Sequence, residues 1–258
     1  MFDGVGVRAA GLSLRGERGW VYRDVGIEAE PGSLTAVAGQ AGSGRTSLLL
    51  TLAGRMRPGS GTLTVGRYTT PRAIRSVAAL GLFDGVNDLD GALSVREHVR
   101  ERVPRLPRSR GRREWAADAL ALAGLEPDPR DRTLIRDLGR ERRIRLGIAL
   151  ALLDRPGLLV LDDVDAGLAL DGRENLWATL RDLAERGLTV VASCTESDLP
   201  LTVRLPCPGA ATGPDTTTGV GATGIADTRA LPGGDRRVER EQPRTVPGGE
   251  RKDGEQER

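Results

Sequence analysis

Residues 39–46 read Gly39-Gln40-Ala41-Gly42-Ser43-Gly44-Arg45-Thr46, and Ser47 follows. The run fits G-x-x-x-x-G-K-[ST] at every fixed position except the lysine, which here is Arg45. Its surroundings agree. SLTAVAG (33–39) is a short apolar strand that runs into the loop, and TSLLLTLAG (46–54) is a buried helix closed by Gly54. Three glycines permit positive φ, so successive backbone N–H groups turn inward as an anion nest, and the helix that follows adds its positive N-terminal end. The spacing points to a phosphate chain held by residues 39–47, with the Thr46 hydroxyl as a Mg²⁺ ligand and Ser47 beside it. A plain glycine turn is the bland reading, and loop spacing, hydroxyl and flanking elements together outweigh it. Arg45 changes the chemistry. Guanidinium is longer and planar, with a fork of donors, so it neutralises phosphate from a different position than a lysine ammonium.

Downstream, IRLGIALALL (144–153) is a second buried helix ended by Pro156, and GLLVLDD (157–163) is an apolar strand finishing in two aspartates. RENLWATLRDLAER (173–186) places Leu176, Leu180 and Leu183 on one helical face, and LTVVASC (188–194) is another buried strand. Strands this apolar are covered on both faces, which predicts an α/β fold: a mostly parallel sheet flanked by helices. GTLTVGRY (61–68) alternates like a strand, and 94–124 is helical but broken by Pro104 and Pro107.

The 258 residues are 38% hydrophobic and 29% charged, which suits one α/β domain with a tail. From Gly209 to Arg258 apolar residues are too sparse to offset ordering entropy, so that tail is expected to be disordered, with nearly balanced charge. A formal net charge of +2 argues against general nucleic-acid binding. Cys194 and Cys207 suggest neither a disulfide framework nor a zinc site. The longest apolar run, LGIALALL (146–153), is too short to span a bilayer, and the N-terminus shows no secretory signal, so a cytoplasmic protein is expected. Lys252 is the sole lysine, His98 the sole histidine, and the glutamines are Gln40, Gln242 and Gln256.

RLGIALALLDRPG (145–157), LLVLDD (158–163) and VDAGLALDGR (164–173) together closely resemble the Walker B region of ABC ATPases. GWVYRDVGIEAEPGSLTAVAG (19–39), GRMRPGSGTLTVGR (54–67) and LSVREHVRER (93–102) resemble other family segments, in family order, over about residues 5–207. The resemblance implies a P-loop NTPase-like cassette over 1–208, with an antiparallel N-terminal β part and a helical subdomain at about 86–150. It implies ATP and Mg²⁺ as cofactors, Asp162 as the Mg²⁺-organising aspartate acting through water, and an aromatic that stacks on adenine, for which Trp20 and Tyr22 are both available. The implied partners are an integral membrane permease and a second cassette, in a homodimer or heterodimer, at the inner face of the cell membrane.

Departures from the family pattern are systematic. Leu138-Gly-Arg-Glu-Arg142 stands where LSGGQ belongs, and Arg140 is either a replacement cation or part of a basic helix start. Asp163 occupies the place of the glutamate that polarises water and is one methylene shorter, a weak candidate for general-base work, which contributes about 10²–10⁴-fold. Thr195 stands where a switch histidine is expected, LGLFDG (80–85) lacks the Q-loop glutamine, and Ala169 replaces the D-loop aspartate, with Asp171 nearby. Losses at five functions beside a retained glycine loop point to an accessory or regulatory subunit that binds ATP with weak or absent hydrolysis. A slow but working ATPase powering an exporter and a nucleotide-free scaffold are the alternatives. The arginine-rich run at 100–113 lacks aromatics and reads as a solvated face near acidic headgroups, in the region of permease contact, rather than a nucleic-acid site.

Overall fold

Alternation inside three short strands decides the architecture. In β3 (Leu34–Ala38), Ala36 and Ala38 face one apolar cluster and Val37 the other. In β6 (Leu158–Leu161), Leu159 and Leu161 face the first cluster, Leu158 and Val160 the second. In β7 (Thr189–Cys194) the split is Val190, Ala192 and Cys194 against Val191. Both faces are dry, so the strands need no polar side at all. They join β5 (Ala78–Leu80) and β8 (Thr202–Arg204) in a parallel five-stranded sheet of order β5-β6-β7-β3-β8. These features come from a computed structural model that describes residues 1–102, 111–197 and 199–206.

A second sheet is antiparallel, with β1 (Val7–Gly16) between β2 (Gly19–Ala29) and β4 (Ser60–Val65). Its inner residues Val7, Leu12, Val25, Ile27 and Val65 close the second cluster over α1 (Arg45–Leu52). The first cluster is covered by α5 (Arg140–Leu152) and α6 (Leu170–Glu185), with α3 (Val95–Arg102) and α4 (Arg112–Leu122) outside α5. A short α2 (Pro71–Ile74), capped by Thr70 and opened by Pro71 at its first turn, completes the set. All of these elements lie in one compact unit, Met1–Ala211.

The expected α/β fold with an antiparallel N-terminal part is what the chain adopts. Two helices begin earlier than their apolar pattern suggests. α5 starts at Arg140 rather than Ile144, because Gly139 in extended conformation serves as its N-cap and the first turn is polar. α6 starts at Leu170 behind Ala169, so Asp171 lies in its first turn, where it complements the helix dipole. The break expected at Pro104 and Pro107 lies outside the described residues, as do Cys207 and the segment from Gly209 onward.

Candidate nucleotide site

β3, β6 and β7 end side by side, so Gly39, Asp162 and Thr195 emerge on one edge of the sheet, the carboxyl edge where α/β folds place ligands. The Gly39 N–H donates to the Cys194 carbonyl at 3.2 Å, and the Ser43 N–H closes the turn on the Gln40 carbonyl at 3.1 Å. Gly42 and Gly44 have φ of 82° and 89°. Gly44 is the N-cap of α1, and a Cβ there would run into the backbone carbonyl of Val21, so both conformation and space demand glycine. Gln40, Ala41, Gly42 and Thr46 are exposed, Gly39 and Ser47 are half-buried, and Ser43 and Arg45 are buried.

The acidic end of β6 is held from both sides. Thr46 Oγ1 donates to Asp162 Oδ2 at 2.6 Å, and Ser193 Oγ donates to Asp162 Oδ1. Ser193 also accepts the Asp163 backbone N–H at 2.8 Å. That bond steadies Asp163 at φ 44°, the left-handed region that aspartate tolerates better than most residues. A hydroxyl and a carboxylate in contact are oxygen donors of the kind Mg²⁺ takes alongside nucleotide phosphates.

Arg45 is buried against the residue that follows Asp162. Its Nη2 lies 2.7 Å from Asp163 Oδ1, with the arginine side chain 8% exposed and the aspartate 41%. The pair is ionic without the alignment of a hydrogen bond, and Arg45 Nη1 is enclosed with no hydrogen-bond partner. Burial pushes the Asp163 carboxyl above the ordinary aspartate value; Arg45 pulls it down, and Asp162 and Asp165 push it up. Asp165, buried, accepts the Thr195 backbone N–H at 3.3 Å through Oδ2 while its Oδ1 has no hydrogen-bond partner.

At the first turn of α5, Arg140 Nε donates to the Ala166 carbonyl at 2.6 Å, and its Nη1 sits 3.4 Å from Asp84. Residues 138–142 thus combine a buried Leu138 with a helix start whose arginine is engaged within its own chain. In the 80–88 stretch, Asn87 links the Phe83 N–H and the Gly81 carbonyl, at 2.8 and 2.7 Å. The two aromatic candidates separate cleanly. Tyr22 is core, its hydroxyl bonded to Thr51 at 2.7 Å, so it offers no ring to a base. Trp20 is 44% exposed, with the guanidinium carbons of Arg23 and Arg15 at 5.4 and 5.8 Å from its ring centroid.

The ABC transporter family model matches residues 22–166, which contain the loop, Asp162 and Asp163. The chain belongs to the ABC transporter family, as its ATP-binding cassette. It is 32% identical to the hemin import ATP-binding protein of Gloeobacter violaceus, over 72% of this chain and 71% of that protein. It is 31% identical to the Nod factor export ATP-binding protein I of Cupriavidus metallidurans, over 66% of this chain and 56% of that one. Among solved structures it shares its fold with cbiO1 of Clostridium perfringens, part of an ABC transporter complex, at a TM-score of 0.64 and 21% identity, over 74% of this chain and 78% of that one.

Three residues of the cassette's polar framework escape a linear reading. Ser193 is, with Thr189, one of two hydroxyl residues in an otherwise apolar strand, and that oddity is its only signal. Asp165 has none. Arg145, buried inside the apolar run of α5, pairs with Glu141 at 2.8 Å and donates to the Ala123 carbonyl and to Thr179 at 3.0 and 2.9 Å; the i,i+4 spacing from Glu141 could have flagged it.

Proposed function

We propose that the chain is the ATP-binding subunit of an ABC-type membrane transport complex, accessory or regulatory, with weak or absent hydrolysis. Residues 39–47 hold the phosphates, and Trp20 offers its exposed face to the base. Thr46 and, through water, Asp162 hold Mg²⁺, which neutralises phosphate charge when bound. The observation that carries the reading is the position of Asp163. Its carboxylate, where the family's water-polarising group belongs, is committed to Arg45 at 2.7 Å, and its backbone is tied to Ser193. A base that is one methylene shorter than glutamate and has one carboxylate oxygen against a cation lacks reach toward water and is weakened as a proton acceptor. Thr195, which follows β7, supplies no imidazole.

A permease is the partner at the inner face of the membrane, with a second cassette completing a homodimer or heterodimer. A cavity of about 400 Å³ beside the edge strand β5 supports the docking place: Arg55, Arg75, Arg102, Asp154, Val86 and Asn87 contribute to its wall. Three guanidinium groups against one carboxylate favour an acidic docking segment. Among the described residues no helix is long and apolar enough to cross a membrane. The deciding experiment is equilibrium titration with Mg-ATP alongside a turnover assay on the same preparation. Binding with turnover near background supports the reading; turnover on the order of 1 s⁻¹, in the ordinary enzyme range, overturns it.

A further inference from the structure

We infer that Asp163 and Arg45 form an internal lock on the phosphate loop, in which the carboxylate competes with nucleotide phosphate for the loop's own cation. This rests on the ATP-binding reading and adds its regulation. Arg45 is the only basic residue in the stretch 39–47, so it is the charge a phosphate chain would use there. That charge is buried against Asp163. One terminal nitrogen sits on Asp163, the other is enclosed, and the side chain is 8% exposed. A phosphate on the exposed backbone of the loop would have to draw the guanidinium away from Asp163 to pair with it fully.

The buried state is also incompletely satisfied. Arg45 Nη1 has no hydrogen-bond partner, and leaving a buried donor of a charged group unpaired is costly. Such a state persists because Asp163 is firmly placed, by its bond to Ser193, rather than because the arginine is well solvated by protein. Phosphate oxygens would supply the guanidinium fork with the paired acceptors that it lacks. Occupancy of the loop and the Arg45–Asp163 contact therefore exclude one another. A lysine would carry its charge on a single nitrogen, whereas the forked arginine reaches across to the end of β6 and makes this competition possible.

Removing the negative charge should release the cation. ATP binding to the full chain, measured calorimetrically with Mg²⁺ present, should tighten about fivefold in Asp163→Asn, the scale expected for loss of a half-exposed ion pair. The gain should vanish when Arg45→Gln is added, and AMP, with its single phosphate, should gain less than ATP. A folded Asp163→Asn chain, judged by circular dichroism, that binds ATP no more tightly than the parent overturns the lock while leaving ATP binding intact. No binding by either chain at millimolar ATP overturns both. A structure of the unmodified chain with ATP gives an answer that needs no variant. Arg45 Nη2 should have left Asp163, and a retained contact below 3.5 Å refutes the competition.

Discussion

Ser193 joins the two aspartates that follow β6: its hydroxyl donates to the Asp162 side chain and accepts the Asp163 backbone N–H at 2.8 Å. One buried hydroxyl on β7 thereby sets the direction of Asp162 and the left-handed turn at Asp163. Ser193→Ala should lower stability by about 1–3 kcal/mol, the usual cost of leaving buried polar groups unsatisfied. It should also weaken the dependence of ATP binding on Mg²⁺, since Asp162 then keeps only Thr46 as a side-chain partner. Denaturant melts and titrations with and without EDTA read the two effects, and an unchanged midpoint would show that water replaces the hydroxyl.

Gly44→Ala should abolish detectable ATP binding. The methyl group meets the Val21 carbonyl, and φ of 89° is strained for alanine, so loop and β2 must part. Strain of this kind costs about 1–3 kcal/mol, leaving a folded chain whose anion nest is misaligned. Calorimetry with Mg-ATP at millimolar concentration checks it; parental affinity would mean that the phosphates bind elsewhere.

Restoring single family residues should not restore turnover. Arg45→Lys, Asp163→Glu and Thr195→His each repair one part of a site whose other parts still depart from the family pattern, and residues acting as a unit lose activity non-additively. Each variant should stay well below about 1 s⁻¹ in a phosphate-release assay. Recovery by any one of them would identify that position as the sole defect.

Cys194 should be inert in the native state. Burial pushes its thiol up to about 11, with Asp165 adding to the rise. At pH 8 about one thiol in a thousand is ionised at such a value. In a Cys207→Ser background, labelling by a thiol reagent should wait on unfolding. The raised value also sets a sign for stability. The unfolded chain loses its proton near the ordinary thiol value of 9.0 while the fold keeps it to about 11, so this thiol's contribution falls as pH rises between the two. Rapid native labelling, or a Cys194→Ala chain with the same alkaline loss, would count against this placement.

Much of this was legible in the linear chain. The glycine spacing at 39–44, the apolar runs of β3, β6 and β7 and the two aspartates that follow β6 all depend on local sequence: a left-handed turn needs glycine, and a strand buried on both faces needs a near-continuous apolar run. Periodicity placed Leu176, Leu180 and Leu183 on the buried side of α6, where they lie. The polar starts of α5 and α6 were hidden because caps at Gly139 and Ala169 leave no apolar pattern. The choice between Trp20 and Tyr22, two residues apart on β2, turned on packing. A hydroxyl partner at Thr51 drew Tyr22 inward, and no sequence rule distinguishes the rings. Arg45 opens the helix α1 that follows β3, Asp163 lies just past β6, and those two strands are not neighbours in the chain or in the sheet, for β7 lies between them. Sequence supplied both charges. Only the tertiary structure, by bringing the ends of β3 and β6 to one edge and sealing the guanidinium from water, decided that they would meet each other.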